Sequence, residues 1–313
     1  MFRFILMRVG GLIGVLLAVS LLTFFLMHMV PGGPFDAMSV ATAQMIPQEL
    51  VENLEKLYGL DKPLWTQYWL FLKAALRGDF GYSFYASGRS VNELVREHWP
   101  YSIHVGLMTL AFSSVVGLGL GIVSAMNPGR WPDFLGTGVS LFCMTVPSFV
   151  FAKLMQYVLS VKLGWLPTAG WDGPKYWIMP VLANSLGPVM TLQRYTRAAI
   201  SDVMRANYVR TARAKGLSER KVTLVHIFKN ALTPVVTVAG PMMASLITGS
   251  IFIEGIFRIP GLGWYTNQAI GRRDYPLILA STLLWTTLIS VTYFATDIIY
   301  ALLDPRVAYV KER

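Results

Sequence analysis

Residues 193–234 read QRYTRAAISDVMRANYVRTARAKGLSERKVTLVHIFKNALTP, the one long charged segment in an otherwise oily second half of the chain. Its basic residues are Arg194, Arg197, Arg205, Arg210, Arg213, Lys215, Arg220, Lys221 and Lys229, opposed only by Asp202 and Glu219. Apolar runs too long for an ordinary core helix flank it on both sides. Dense Lys/Arg between two spanning segments places a loop in the cytoplasm. Within the loop, the spacing over 208–217 predicts a short helix stopped by Gly216, since glycine accepts the left-handed conformation of a helix end cheaply. Ser218 is placed to cap a second helix, on which Val222, Val225, Phe228 and Leu232 recur at spacings of 3, 3 and 4. A helix–glycine–helix elbow with small alanines on one side suits docking into a groove on another protein. A basic amphipathic loop lying on anionic lipid accounts for the same residues.

The rest of the chain explains why such a loop is needed. The 313 residues are 54% hydrophobic and 14% charged, against roughly 25% charged in soluble domains. That composition belongs to a polytopic membrane protein, and a net charge of +10 then speaks of orientation and lipid contact rather than nucleic acid. A first span is expected over 9–30, a run without a formal charge that follows Arg3 and Arg8. It is longer than the roughly 7–15-residue core of a signal peptide, so it reads as an uncleaved helix with its N-terminus inside. Five more runs follow at 101–126, 134–161, 176–193, 231–257 and 277–303. Counting alternately from an inside N-terminus puts the 194–230 loop and the 304–313 tail in the cytoplasm. The expectation is all-α with six transmembrane helices. Domains are expected as 1–30, a lobe over 31–100, a five-span bundle over 101–303 and the tail.

Residues 31–100 differ in kind, with eight acidic residues against six basic ones. Helical spacing recurs over 47–58 and 64–76, and Trp65, Tyr68, Trp69 and Phe71 form an aromatic face. Such a lobe either caps its own spans or meets a substrate-delivering protein outside, and the two are compatible. Three formally charged residues lie within the expected spans: Lys153, Glu254 and Asp297. Lys153 and Glu254 are expected to pair or to face a polar cavity, the alternative being that each snorkels to the interface.

Catalytic chemistry is not evident. The phosphate-cradling pattern Gly-x-x-x-x-Gly-Lys-Ser/Thr does not occur. No Ser/His/Asp or Cys/His set converges, and no histidine lies deep in a late span to activate a serine. The single Cys143 gives no disulfide frame, and the four histidines form no metal-ligand cluster. Catalytic and metal sites are therefore expected to be none. A polytopic chain without catalytic chemistry that moves a solute draws its energy from an ion gradient or a partner ATPase. Ion-coupled carriers usually keep acids mid-membrane, whereas Glu254 and Asp297 sit toward span ends, which favours a partner.

Arg210-Thr-Ala-Arg-Ala-Lys-Gly-Leu217, followed by Asn230-Ala-Leu-Thr-Pro234, resembles the cytoplasmic coupling loop of bacterial ABC importer permeases of the peptide/nickel branch. Thr248-Gly-Ser250, Glu254-Gly-Ile-Phe257, Pro260-Gly-Leu-Gly263, Arg273-Asp-Tyr-Pro276 and Leu303-Asp-Pro-Arg306 continue the likeness. Pro31-Gly-Gly-Pro-Phe35, Tyr58-Gly-Leu-Asp61 and Arg77-Gly-Asp-Phe-Gly81 are similar to the B-type subunit of oligopeptide permeases. Two departures stand out. The Glu-Ala-Ala triplet general to ABC permeases is Arg210-Thr211-Ala212 here, and the Gly216 to Pro234 interval exceeds that of sugar-type permeases.

The resemblance implies the ABC importer (type I) permease fold in a bacterial cytoplasmic membrane, in a non-enzymatic subunit that translocates oligopeptides or dipeptides. Nickel or another small ligand of the same branch, and ion-coupled secondary transport, remain open alternatives. It implies a second homologous permease, two ATPase subunits that bind ATP and Mg, and an extracytoplasmic binding protein, with no cofactor on this chain. Arg210, Ala212, Arg213, Ala214, Lys215, Gly216 and Leu217 would couple to the ATPases. Trp65, Tyr68 and Trp69 would face the binding protein.

Overall fold

The computed structural model describes residues 2–32, 55–56, 59–86 and 88–303, with side chains except at 2–5, 233 and 297–303. The predicted helix at 47–58, apart from 55–56, the 304–313 tail, part of the 31–35 motif and the side chain of Asp297 lie outside these residues. The described chain is helical, and its only strand-like pairing is an isolated bridge, Tyr82 with Ser90. Helices run in the order α1 (Phe2–Met29), α2 (Leu64–Ala75), α3 (Val91–Met126), α4 (Trp131–Thr145), α5 (Ser148–Met155), α6 (Pro174–Asn184) and α7 (Leu186–Met204). They continue with α8 (Asn207–Ala214), α9 (Lys229–Ile247), α10 (Ile251–Phe257), α11 (Leu262–Arg272) and α12 (Tyr275–Leu303).

Among the described residues, three helices are long and apolar enough to cross a membrane: Leu6–Met29, Val91–Met126 and Tyr275–Thr296. The count rises to five if each of two bent pairs is one span. The expected third span is one of these pairs. It breaks by 97° between α4 and the segment Ser148–Lys162, because Pro147 cannot continue the hydrogen-bond ladder and pushes Val146 into extended backbone (φ −91°, ψ 116°). The second pair bends by 44° between Leu232 and Pro234. The expected fourth span is two helices, α6 and α7, the latter continuing to Met204. The expected fifth ends at Ile247, restarts at Ile251, and has Gly249 at φ +95° in between.

The chain falls into two compact units, Met1–Tyr101 with Pro260–Arg313, and Ser102–Ile259. In the first unit, α1 lies along α12, and Phe24, Tyr68 and Leu279 form a buried cluster with α2. Asp274, just before α12, is buried; Phe84 N–H donates to its Oδ1 at 3.1 Å and the Ser83 hydroxyl donates to Oδ2. In the second unit, α7 packs along both α4 and α9. Glycines permit the closest approaches: a Cβ on Gly106 would lie 2.5 Å from Leu246 O, and one on Gly117 would lie 2.8 Å from Leu192 Cβ. Small residues at such crossings are what membrane helices use in place of a hydrophobic driving force.

Candidate functional site

The charged loop folds into a compact elbow. Ala206, in extended conformation, precedes α8, on which Val209 and Ala212, three residues apart, are buried. The other positions of α8 face outward. The helix stops where the sequence says it should: Gly216 has φ +75°. Its N–H donates to Arg213 O at 2.9 Å and Leu217 N–H donates to Ala212 O at 3.4 Å, the paired bonds of a Schellman end. Half-buried Leu217 packs with Ala212 beneath it, completing the hydrophobic contact of that motif. Across the turn, Arg213 grips Glu219 with two bonds, Nε to Oε1 at 2.8 Å and Nη2 to Oε2 at 3.2 Å. An exposed pair of this kind adds little stability; its fork spans the turn between α8 and the segment that begins at Glu219.

That segment differs from the expected second α-helix. Ser218 stands at the N-cap without a side-chain cap bond, and after Glu219–Lys221 the chain is π-helical over Val222–Phe228. The wider turn moves the buried face. Val222, Ile227 and Ala231 are buried, at spacings of 5 and 4, while Val225 and Leu232 are exposed. These residues close a core with Ala125 of α3, Ile200 of α7, and Val209 and Ala212 of α8. The elbow is thus seated on α7 and α3 from below and presents Arg210, Arg213, Ala214, Lys215 and Gly216 on its open side. The structure separates the two alanines. Ala214 is exposed, whereas Ala212 is 6% exposed and belongs to the chain's own core. Burial of Val209 alone contributes about 1.5–3 kcal/mol to holding the knob in place.

The other sequence candidates scatter. Lys153 is exposed, and its ammonium donates to Gln156 Oε1 at 3.1 Å. Glu254 is fully buried beside the Thr248–Ser250 break, and its Oε1 accepts from Ser250 N–H at 3.2 Å. The aromatic face of α2 divides. Trp65 and Trp69 are exposed, while Tyr68 turns inward, its hydroxyl 3.0 Å from Ser20 Oγ and its ring against Phe24.

Sequence reading missed a polar knot on the α7 stem. Gln193 is buried; Ser140 Oγ of α4 donates to its Oε1 at 2.6 Å, and its Nε2 donates to Ser124 Oγ of α3 at 3.3 Å. One turn further on, Arg197 holds Asp133 of α4 with Nε to Oδ1 at 2.7 Å and Nη2 to Oδ2 at 2.8 Å. An apolar cleft of about 550 Å³ opens beside these residues, lined in part by Leu141, Met144, Met190 and Arg194. Among the described residues no group of three His, Cys, Asp or Glu is placed to hold a metal ion. The arrangement offers no nucleophile with a base. It offers a cationic knob carried at the end of α7.

Comparison with known proteins agrees in kind. The model of the family "Binding-protein-dependent transport system inner membrane component" matches residues 117–309. That of "Binding-prot-dependent transport system membrane comp, N-term" matches residues 1–105. The oligopeptide transport system permease protein OppB of Haemophilus influenzae is 38% identical over 99% of this chain and 100% of its own length. The dipeptide transport system permease protein DppB of Bacillus subtilis is 35% identical over 100% of both. OppB of Escherichia coli K12 is 36% identical over 99% of this chain and 100% of its own. Among solved structures, a chain of the MetNI methionine ABC transporter in an inward-facing form superposes with a TM-score of 0.54 at 18% identity, over 67% of this chain and 96% of that one. A chain of an amino acid ABC transporter crystallised with histidines gives 0.54 at 12%, over 66% and 92%. These two show likeness of fold.

Proposed function

Because the chain belongs to the binding-protein-dependent transport system inner membrane components, we propose that it is the permease subunit of an ATP-driven importer that passes oligopeptides or dipeptides into the cell. The observation that carries this reading is the exposed α8–Gly216 elbow, basic on its open side and seated by Val209 and Ala212 on α7 and α3. The full-length relatives supply the substrate class, since their names specify oligopeptide and dipeptide transport.

In this reading six spans cross a bacterial cytoplasmic membrane with both termini inside. The 31–100 lobe lies outside, the 101–303 bundle forms this chain's share of the pathway, and the 194–230 loop lies in the cytoplasm. A second homologous permease completes the pathway. Two ATPase subunits bind ATP and Mg, and one of them takes the elbow through Arg210, Arg213, Ala214, Lys215, Gly216 and Leu217. Closure of the ATPases displaces α8, and its seat carries the displacement into α7 and α3. A binding protein delivers peptide at the outer lobe, where Trp65 and Trp69 are the exposed apolar anchors. Glu254, buried beside the α9–α10 break, holds that break rather than facing lipid.

The test is transport into vesicles containing the assembled complex. Uptake of peptide on addition of ATP and loaded binding protein, with ion gradients collapsed, is the expected result. Uptake that needs a gradient and ignores ATP would assign the chain to secondary transport instead.

A further inference from the structure

Asp133 and Arg197 lie 64 residues apart and meet in a two-pronged ion pair of 2.7 and 2.8 Å. The Asp133 carboxylate has a third donor, Gly129 N–H at 3.0 Å on Oδ2, from the turn between α3 and α4. Asp133 is 5% exposed and three donors meet its carboxylate, while the Arg197 side chain that holds it stays partly open to solvent. The location gives the pair its meaning. Arg197 is on α7, two turns before Met204, and only Arg205 and Ala206 separate α7 from the elbow helix α8. Asp133 is in the first turn of α4, a helix that makes no part of the elbow's core.

The contacts above the pair are of another kind. At the next turn, Gln193 bonds Ser140 and Ser124, and a Cβ on Gly121 would crowd Thr196 and Gln193 O. There α3, α4 and α7 are fixed by close approach. At the end of α4 nearest the elbow, the fastening is the ion pair. Resting on the proposed function, we infer that Asp133 and Arg197 are positioning residues for coupling: they yoke α4 to α7, so that displacement of α8 moves α4 with α7 rather than letting α7 slide past it. A guanidinium fork suits this role, since its two parallel bonds resist rotation where a single bond would pivot.

The assembled transporter in vesicles tests this, with Cys143→Ser as background and spin labels at Leu135→Cys on α4 and Asp202→Cys near the end of α7, both exposed positions. Three quantities are read: peptide imported per ATP hydrolysed, hydrolysis without binding protein, and the label-to-label distance with and without trapped ATP. In the parent the distance is expected to stay single and unchanged by ATP. In Asp133→Asn it is expected to shift or broaden on ATP trapping, with import per ATP falling severalfold and unstimulated hydrolysis within about twofold. Arg197→Lys keeps the charge and loses the fork, so it is expected to fall between. It carries the same comparison if Asp133→Asn fails to assemble. Unchanged import per ATP in an assembled variant overturns the inference. So does a loss of import with an unmoved label distance, which would mark the pair as structural. A parent complex that imports nothing on ATP overturns the proposed function and this inference with it.

Discussion

At the scale of single residues, Gly216 and Asp274 are held for opposite reasons. Gly216 sits at φ +75° with nothing within 4 Å of where a Cβ would be, so backbone conformation alone, not crowding, disfavours a side chain there. Gly216→Val is expected to cost roughly 1–2 kcal/mol in local strain. It should leave the complex inserted while import per ATP falls. Gly216→Asn, whose short polar side chain tolerates the left-handed region, should remain close to the parent. Equal coupling in parent and valine variants would remove the elbow from the mechanism. Asp274 is set by burial, which pushes its carboxyl above the ordinary range despite the bonds from Ser83 and Phe84. The folded state therefore keeps this proton to higher pH than the unfolded chain does. The resulting stability is fully present below the unfolded value of about 3.9 and is lost as pH rises through the folded one. Thermal unfolding of the parent and of Asp274→Asn across this range should show the parent's relative stability declining with rising pH, a trend the asparagine variant lacks. Asp274 stood within a motif that could be quoted from sequence, but Ser83 and Phe84 lie about 190 residues away and no local pattern announces their bonds to it.

At the scale of elements, the legible parts were those set by local rules. The α1 run, the later turns of α3, the start of α12 and the Gly216 stop follow from hydrophobic length and backbone freedom. The misread parts were those where the backbone departs from the α period. Pro147 splits a span that composition makes continuous. The π-helix at Val222–Phe228 moves the buried face from the expected Val225 to Ile227. Helices α10 and α11 end on arginines in left-handed conformation, Arg258 (φ 50°) and Arg273 (φ 55°), where no glycine marks the stop. The glycines of α3 differ from one another. Gly117 and Gly121, one turn apart, meet α7, whereas Gly119 has nothing within 4 Å. Gly106→Ala would press a methyl onto the α9 backbone at Leu246 and is expected to cost about 1–3 kcal/mol. Gly119→Ala should be neutral or slightly stabilising, since alanine favours the helix by up to about 1 kcal/mol. Melting temperatures of the two variants in detergent check the pair, and equal losses would contradict the packing described.

At the scale of the whole molecule, the proposed function gives this chain two addresses, a basic elbow for an ATPase and an aromatic helix for a delivery protein. The sequence made both visible as composition, a block of nine basic residues and an acidic, Trp-bearing lobe. It could not tell which side chains remain outward, because Ala212 and Tyr68 are drawn inward by cores assembled from distant helices. The outward residues left by folding, Ala214 and Trp69, therefore define the most direct measurement. A photo-reactive amino acid is placed at one or the other position in the assembled transporter with its binding protein present. The account predicts that the probe at position 214 labels an ATPase subunit and that the probe at 69 labels the binding protein. Labelling of the same partner from both positions, or of lipid alone from position 214, would contradict it.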